Sequence, residues 1–89
     1  MATFPGGSAY TMVREIGEGY FLVTERTFQR FNGGELDKLT FELDRYLREI
    51  RGEQPSLDDQ PSILLKNRRL QRLNTALMIL RSYRQRFRV

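Results

Sequence analysis

The sequence contains neither cysteine nor histidine. It therefore cannot form a disulfide bond, and it offers no thiolate or imidazole ligand for a metal ion. The common catalytic triads and dyads depend on a histidine base or a cysteine nucleophile, so they are excluded as well. We expect that the protein is not an enzyme. No catalytic residue, no cofactor and no metal ligand is predicted.

Long apolar runs are absent too. Because no run of about eighteen apolar residues occurs, no membrane-spanning helix is predicted. The first ten residues lack the charged stretch and apolar core that together mark a secretory signal peptide. The expected location is the cytoplasm.

The chain has 89 residues, which is enough for one small domain. Apolar residues make up 39% of it, so a folded core is expected. Without disulfides or metals, such a small core is stabilised by regular helix packing or by a second subunit, and a homodimer is the expected state. Turn-forming residues around Gly6 and Gly7 mark 1–9 as a flexible lead-in to a single domain at 10–89.

A β-hairpin is predicted over about residues 10–25. Two runs rich in β-branched and aromatic residues flank Gly17 and Gly19, which can supply the positive φ angles of a tight turn. The second run, "YFLV", is apolar at every position, which predicts burial on both faces. The following residues, 24–31, either continue this strand or begin a short helix capped by Thr24.

A helix is predicted at about 33–51. Asn32 and Glu35 have approximately the spacing of a capping box at its start, and Gly52 is a suitable C-terminal stop. Between them, leucines recur with the period of one helical face, which predicts that this face packs on the core.

A second helix is predicted at about 62–87, after a linker at 52–61. The linker contains Asp58 and Asp59, whose carboxylates complement the dipole of a helix N-terminus. At 1.5 Å per residue this helix is about 39 Å long, against about 28 Å for the first. The predicted fold is therefore α+β: an N-terminal β-hairpin packed on an antiparallel pair of α-helices, of which the C-terminal helix is the longer.

The stretch "LNTALMIL", residues 73–80, carries no charge although arginines flank it. On a helical wheel its leucines share one face, whereas the methionine and isoleucine point away on either side. A helix that is apolar nearly all round is buried nearly all round, so one side is expected against the first helix and the other against the hairpin or a second copy. The predicted core or dimer seam consists of Leu73, Leu77, Met78, Ile79 and Leu80.

Charge is divided unevenly along the chain. Residues 1–59 hold eleven acidic and seven basic residues, whereas 60–89 hold eight basic residues and no acid. Clustered arginines suggest nucleic acid as a partner, because they bind phosphate backbones. No nucleic-acid-binding motif is present, however, and the acidic half can instead neutralise the basic half, within the fold or across a dimer.

The tail "RSYRQRFRV" mixes arginines with aromatic residues, two residue classes enriched at the energetic centres of protein interfaces. A simpler interpretation is that its arginines complement the helix dipole while its aromatic rings pack into the core. As a recognition surface it would bind an acidic or amphipathic segment of another protein. The predicted partner-binding residues are Arg81, Tyr83, Arg84, Arg86, Phe87 and Arg88 in the tail, with Arg68 and Arg72 earlier on the same helix.

The expected function is that of a non-catalytic protein-protein interaction module. Such a protein would serve as a small adaptor, an assembly factor or chaperone, or a regulatory subunit. Binding of nucleic acid by the basic C-terminal helix is the alternative.

Overall fold

The computed structural model describes Phe4, residues 7–53 and residues 58–87. These residues form four α-helices: α1 (Ala9–Glu18), α2 (Glu25–Phe28), α3 (Gly33–Arg51) and α4 (Gln60–Phe87). No β-strand occurs in this part of the chain. The predicted α+β fold with an N-terminal hairpin is therefore wrong, and the protein is a helical bundle.

The residues that suggested the first strand of a hairpin form α1 instead. Met12, Val13 and Ile16 are almost completely buried. Positions separated by one, three and four residues share a face only in a helix, because a strand would place Met12 and Val13 on opposite faces. The helical period of the apolar residues therefore outweighs the β-propensity of the individual side chains.

Both ends of α1 are capped. The Ser8 hydroxyl accepts a hydrogen bond from the Thr11 N–H at 3.1 Å. At the other end, Gly19 adopts the left-handed conformation with φ of 88°, and its N–H bonds back to the carbonyls of the last turn. The positive φ expected of a hairpin turn is thus present at Gly19, where it ends a helix.

The short helix weighed for residues 24–31 is present as α2. Its N-cap is Thr24, whose N–H donates to the Thr27 hydroxyl at 3.1 Å. Phe28 is fully buried, so this single turn fixes an aromatic side chain in the core.

The third helix covers the same residues as the helix predicted at 33–51. Its capping box is reciprocal: the Glu35 N–H donates to the Asn32 side chain at 2.8 Å, and the Asn32 N–H donates to the Glu35 carboxylate at 2.8 Å. Two otherwise unpaired backbone donors at the helix start are satisfied in this way.

The fourth helix begins at Gln60, two residues before the predicted start. Directly before it, Asp59 accepts hydrogen bonds from the Ser62 N–H at 3.2 Å and from the Ser62 hydroxyl at 2.6 Å. Residues 54–57 of the predicted linker lie outside the described residues, as does most of the predicted lead-in.

The helices α1, α3 and α4 form a three-helix bundle, with α2 against α4. The chain reverses direction between α3 and α4. Lys66, near the start of α4, donates to the Glu53 carbonyl just after α3 at 2.6 Å, and Arg84, near the end of α4, pairs with Asp37 near the start of α3 at 2.6 Å. The predicted antiparallel arrangement of the two long helices is therefore present.

The first helix lies along α3 in the same direction. Near the start of α1, Tyr10 adjoins Phe41 of α3, and one turn later Arg14 pairs with Glu49. The Arg14 guanidinium also lies 4.5 and 4.7 Å from the centroids of the Tyr10 and Tyr46 rings. Near the end of α1, a Cβ added at Gly17 would lie only 3.0 Å from the Tyr46 ring. The glycine thus permits close packing of α1 in the bundle.

The core is a single apolar cluster, and among the described residues it contains no buried polar or charged side chain. Every helix contributes to it. Its largest fully buried side chains are Phe28, Met12, Leu36, Leu39, Leu43, Ile50, Leu73, Leu80 and Val13.

Candidate protein-binding surface

Two arginines of the predicted recognition tail pair with acids of the same chain. Arg84 lies 2.6 Å from the Asp37 carboxylate, and Arg81 lies 4.0 Å from that of Asp44. Both pairs join α4 to α3. The acidic part of the chain therefore neutralises the basic part within the fold at these positions, which is one of the alternatives that the charge distribution left open.

Other basic residues of α4 contact the N-terminal part of the chain. Arg86 pairs with Glu25 at 2.7 Å, and Arg72 donates to the Gly17 carbonyl at 3.1 Å. Arg68 is exposed and has no ion-pair partner within the described part of the chain. The predicted partner-binding arginines thus differ in how available they are to a partner.

The aromatic residues of the tail pack on each other and on α2. Tyr83 is 7% exposed, with its ring 6.2 Å from Phe28 and 4.9 Å from Phe87 between centroids. Phe87 is half-exposed. Arg88, the last predicted contact residue, lies outside the described residues. The tail is therefore partly a packing element, as its simpler interpretation supposed.

The stretch "LNTALMIL" is buried on one side of α4. Leu73, Leu77 and Leu80 belong to the core, and Ile79 packs against it while partly exposed. Met78, by contrast, is 71% exposed. Within one chain the predicted burial on nearly all sides is not found, and the predicted seam with a second copy stays a prediction.

The segment between α1 and α2, residues 20–24, presents apolar side chains to solvent. Tyr20 and Leu22 are 83% and 85% exposed, whereas Phe21 and Val23 are partly buried against the core. This alternation is that of an extended chain lying on a surface. The sequence predicted that "YFLV" is a strand buried on both faces, and this burial is not observed. The large apolar side chains of Tyr20 and Leu22 are exposed to solvent instead.

The backbone of the 20–24 segment is also unpaired at its centre. The N–H groups of Phe21, Leu22 and Val23 have no hydrogen-bond partner in the described part of the chain. At its ends the segment is anchored, because the Tyr20 N–H donates to the Glu15 carbonyl at 2.9 Å and Thr24 is held by its cap. A short irregular segment that is anchored at both ends, with central donors that lack a partner among the described residues, is suited to pairing with an extended chain.

A small groove lies between the 20–24 segment and α4. It has a volume of about 160 Å³, and on the helix side Arg72, Thr75 and Ala76 line it. Arg68 lies one turn before Arg72 on the same side of the helix. The apolar segment is thus bordered by cationic side chains.

The described residues offer no sign of metal chemistry or of a membrane span. Among them, no cluster of three or more potential ligand residues could hold a metal ion. None of the helices in this part of the chain is long and apolar enough to cross a membrane.

Comparison with known proteins adds no assignment. No protein-family model, no curated protein and no solved structure matches the chain. Function is therefore inferred from the surface chemistry of the described residues. The sequence interpretation did not single out Tyr20 and Leu22, although the uninterrupted apolar run around them was the available signal.

Proposed function

We propose that the protein is a non-catalytic protein-protein interaction module that binds an acidic or amphipathic segment of a partner. The partner segment lies extended along residues 20–24. The observation that carries this proposal is the exposure of Tyr20 and Leu22 on a backbone segment whose central N–H groups have no hydrogen-bond partner among the described residues. A small adaptor, an assembly factor or a regulatory subunit would work in this way.

Burial of the two exposed side chains supplies the affinity. Covering a side chain such as tyrosine or leucine contributes about 1.5–3 kcal/mol in favourable cases. Backbone hydrogen bonds to Phe21, Leu22 and Val23 would set the register of the partner, while its alternate side chains would contact Tyr20 or the groove.

The charges around the segment favour acidic residues in the partner. Arg26 and Arg68 are exposed without an ion-pair partner in the described residues, and Arg72 bonds only a carbonyl. A carboxylate near these guanidinium groups would form charge-assisted hydrogen bonds. Exposed charges of this kind raise specificity and association rate more than affinity.

Binding of nucleic acid by α4, the alternative, has weaker support. Arg81, Arg84 and Arg86 each contact a carboxylate, so a phosphate would have to compete with an existing ion pair. The homodimer and the cytoplasmic location expected from the sequence stay predictions.

The proposal is tested by photo-cross-linking in a lysate of the source cells. A benzoylphenylalanine in place of Leu22 should give a discrete protein adduct that resists nuclease. The same group in place of Gln71, which is exposed on the outer side of α4, should not give that adduct. A Tyr20→Ser substitution should remove the adduct at position 22, whereas Met78→Ser, which also removes an exposed apolar side chain, should leave it.

Amide hydrogen exchange provides a second measurement on the purified complex. Exchange at residues 21–23 should be fast in the free protein and slow in the complex, because the partner backbone supplies the missing acceptors. Adducts of equal yield from positions 22 and 71, or unchanged exchange at 21–23, would contradict the proposal. Nucleic acid as the cross-linked species would favour the alternative.

A further inference from the structure

The outer face of α3 carries a second group of residues that the 20–24 segment does not include. Lys38, Phe41, Arg45 and Arg48 are spaced three, four and three residues apart, so they form one stripe along the helix. The stripe extends over about 15 Å at the rise of an α-helix. We call these four residues the α3 stripe.

The carboxylates of α3 are all engaged inside the chain. Glu35 closes the capping box, and the others form ion pairs: Asp37 with Arg84, Glu42 with Arg45, Asp44 with Arg81, and Glu49 with Arg14. Lys38 and Arg48, by contrast, are exposed and have no ion-pair partner within the described residues. Although α3 holds five acidic and four basic residues, it therefore presents unpaired positive charge to solvent.

Phe41 lies in the middle of the α3 stripe and is 64% exposed. A groove of about 510 Å³ adjoins it on the side of Arg45 and Arg48. On the other side, a groove of about 420 Å³ runs between Phe41 and the start of α1 at Ala9 and Tyr10. An exposed phenylalanine between two depressions can be covered by apolar side chains that enter them.

We propose that the α3 stripe binds an acidic amphipathic helix of a partner protein. One apolar side chain of that helix covers Phe41, and carboxylates about one turn to one side and two turns to the other reach Lys38 and Arg48. This surface lies on α3 and shares no residue with the 20–24 segment. The protein then has two separate binding surfaces and can connect two partner segments, which goes beyond the function proposed above.

A peptide helix fits this surface better than a nucleic acid. Asp44 and Glu49 line the larger groove and Asp37 and Glu42 the smaller one, so carboxylates border the stripe on both sides. These carboxylates are paired, but only Lys38 and Arg48 of the stripe lack an ion-pair partner among the described residues, too few cations for a phosphate backbone with a charge at every nucleotide. A helix with spaced carboxylates can place its charges next to the cations alone.

The test uses a displayed library of helical peptides of 20 residues, selected on the full chain carrying Tyr20→Ser and Leu22→Ser. These substitutions remove the proposed 20–24 surface, so enriched peptides report on the rest of the molecule. We expect enrichment of sequences with Asp or Glu on both sides of an apolar residue. Their affinity should fall with increasing salt, because exposed charge pairs are screened.

The selected peptides are then measured against variants of the unsubstituted chain. Phe41→Ser, and separately Lys38→Glu with Arg48→Glu, should each weaken binding by about tenfold or more. Arg30→Glu with Arg51→Glu makes the same change in charge outside the stripe and the 20–24 surface and should have little effect. Circular dichroism confirms the fold of each variant, since all substituted positions are exposed.

Two results would overturn the proposal. Failure to enrich acidic amphipathic peptides, or enriched peptides that bind Phe41→Ser as tightly as the unsubstituted chain, would show that the stripe is not a helix-binding site. Binding of a fluorescent oligonucleotide that is lost on Lys38→Glu with Arg48→Glu would assign the stripe to nucleic acid instead. Neither result bears on the 20–24 surface, which is tested with different variants.

Discussion

Arg72 of α4 donates a hydrogen bond to the carbonyl oxygen of Gly17 at the end of α1, at 3.1 Å. Its guanidinium also packs beneath Gly19, where an added Cβ would lie 2.9 Å from Cζ of the guanidinium. One side chain therefore closes the last turn of α1 and supports the start of the 20–24 segment. A residue predicted from the sequence to bind a partner thus has a structural role next to the proposed binding surface.

Arg72→Met should destabilise the fold, because it keeps an apolar stem but removes the donor to Gly17. The expected loss is about 1 kcal/mol in the free energy of unfolding, typical of a single hydrogen bond at a partly exposed site. Urea denaturation measures it. Arg68→Met is the matched control and should cost little, since Arg68 forms no hydrogen bond or ion pair with the described residues. Equal effects of the two substitutions would contradict the role assigned to Arg72.

Gly19→Ala should also destabilise the fold. The φ of 88° is unfavourable for any residue with a Cβ, and the Arg72 guanidinium occupies the space that the methyl group needs. A loss of about 1–2 kcal/mol is expected from the backbone conformation alone. Gly34→Ala serves as the control, because its Cβ would meet only the Asn32 side chain at 3.5 Å. Thermal unfolding of the two variants should separate them clearly, and equal melting temperatures would be inconsistent with a strained C-cap.

Local sequence patterns were sufficient to predict the two long helices, α3 and α4. The Asn32 and Glu35 spacing and the leucine period of α3 act through neighbouring residues, so they can be recognised without knowledge of the fold. The hairpin prediction failed because Gly19 and a β-rich composition are compatible with two structures. The adjacent buried pair Met12 and Val13 decides between these structures, and that pair favours a helix.

The proposed surfaces depend on tertiary structure and were largely beyond sequence reasoning. Leu22 is exposed because no element in the described part of the chain packs against its side of the segment, which the apolar run "YFLV" alone cannot indicate. The positive charge of the α3 stripe arises because the acids of α3 pair with arginines elsewhere, such as Asp37 with Arg84. The sequence predicted, as one alternative, that the acidic half of the chain neutralises the basic half. Which basic side chains then have no acidic partner depends on the packing of the helices.

Leu80→Ala and Met78→Ala should differ strongly although the residues are two positions apart. Leu80 is fully buried, and truncating such a leucine costs about 2–5 kcal/mol. Met78 is 71% exposed in the single chain, and its substitution should change stability by less than about 0.5 kcal/mol. Chemical denaturation at several protein concentrations measures both. A cost at Met78 comparable with that at Leu80, increasing with protein concentration, would instead place Met78 in the predicted homodimer interface.

The cap at the start of α4 should make stability depend on pH in the acid range. Hydrogen bonds from the Ser62 side chain and backbone N–H lower the pKa of Asp59 below its usual 3.8. Because the folded-state pKa is the lower one, this contribution is fully present above pH 3.8 and is lost as the pH falls through the folded value. An NMR titration of the Asp59 carboxyl group measures the shift. Ser62→Ala removes the hydroxyl donor and should raise the pKa of Asp59 toward its usual value, whereas an unchanged pKa in that variant would show that the Ser62 hydroxyl does not stabilise the carboxylate.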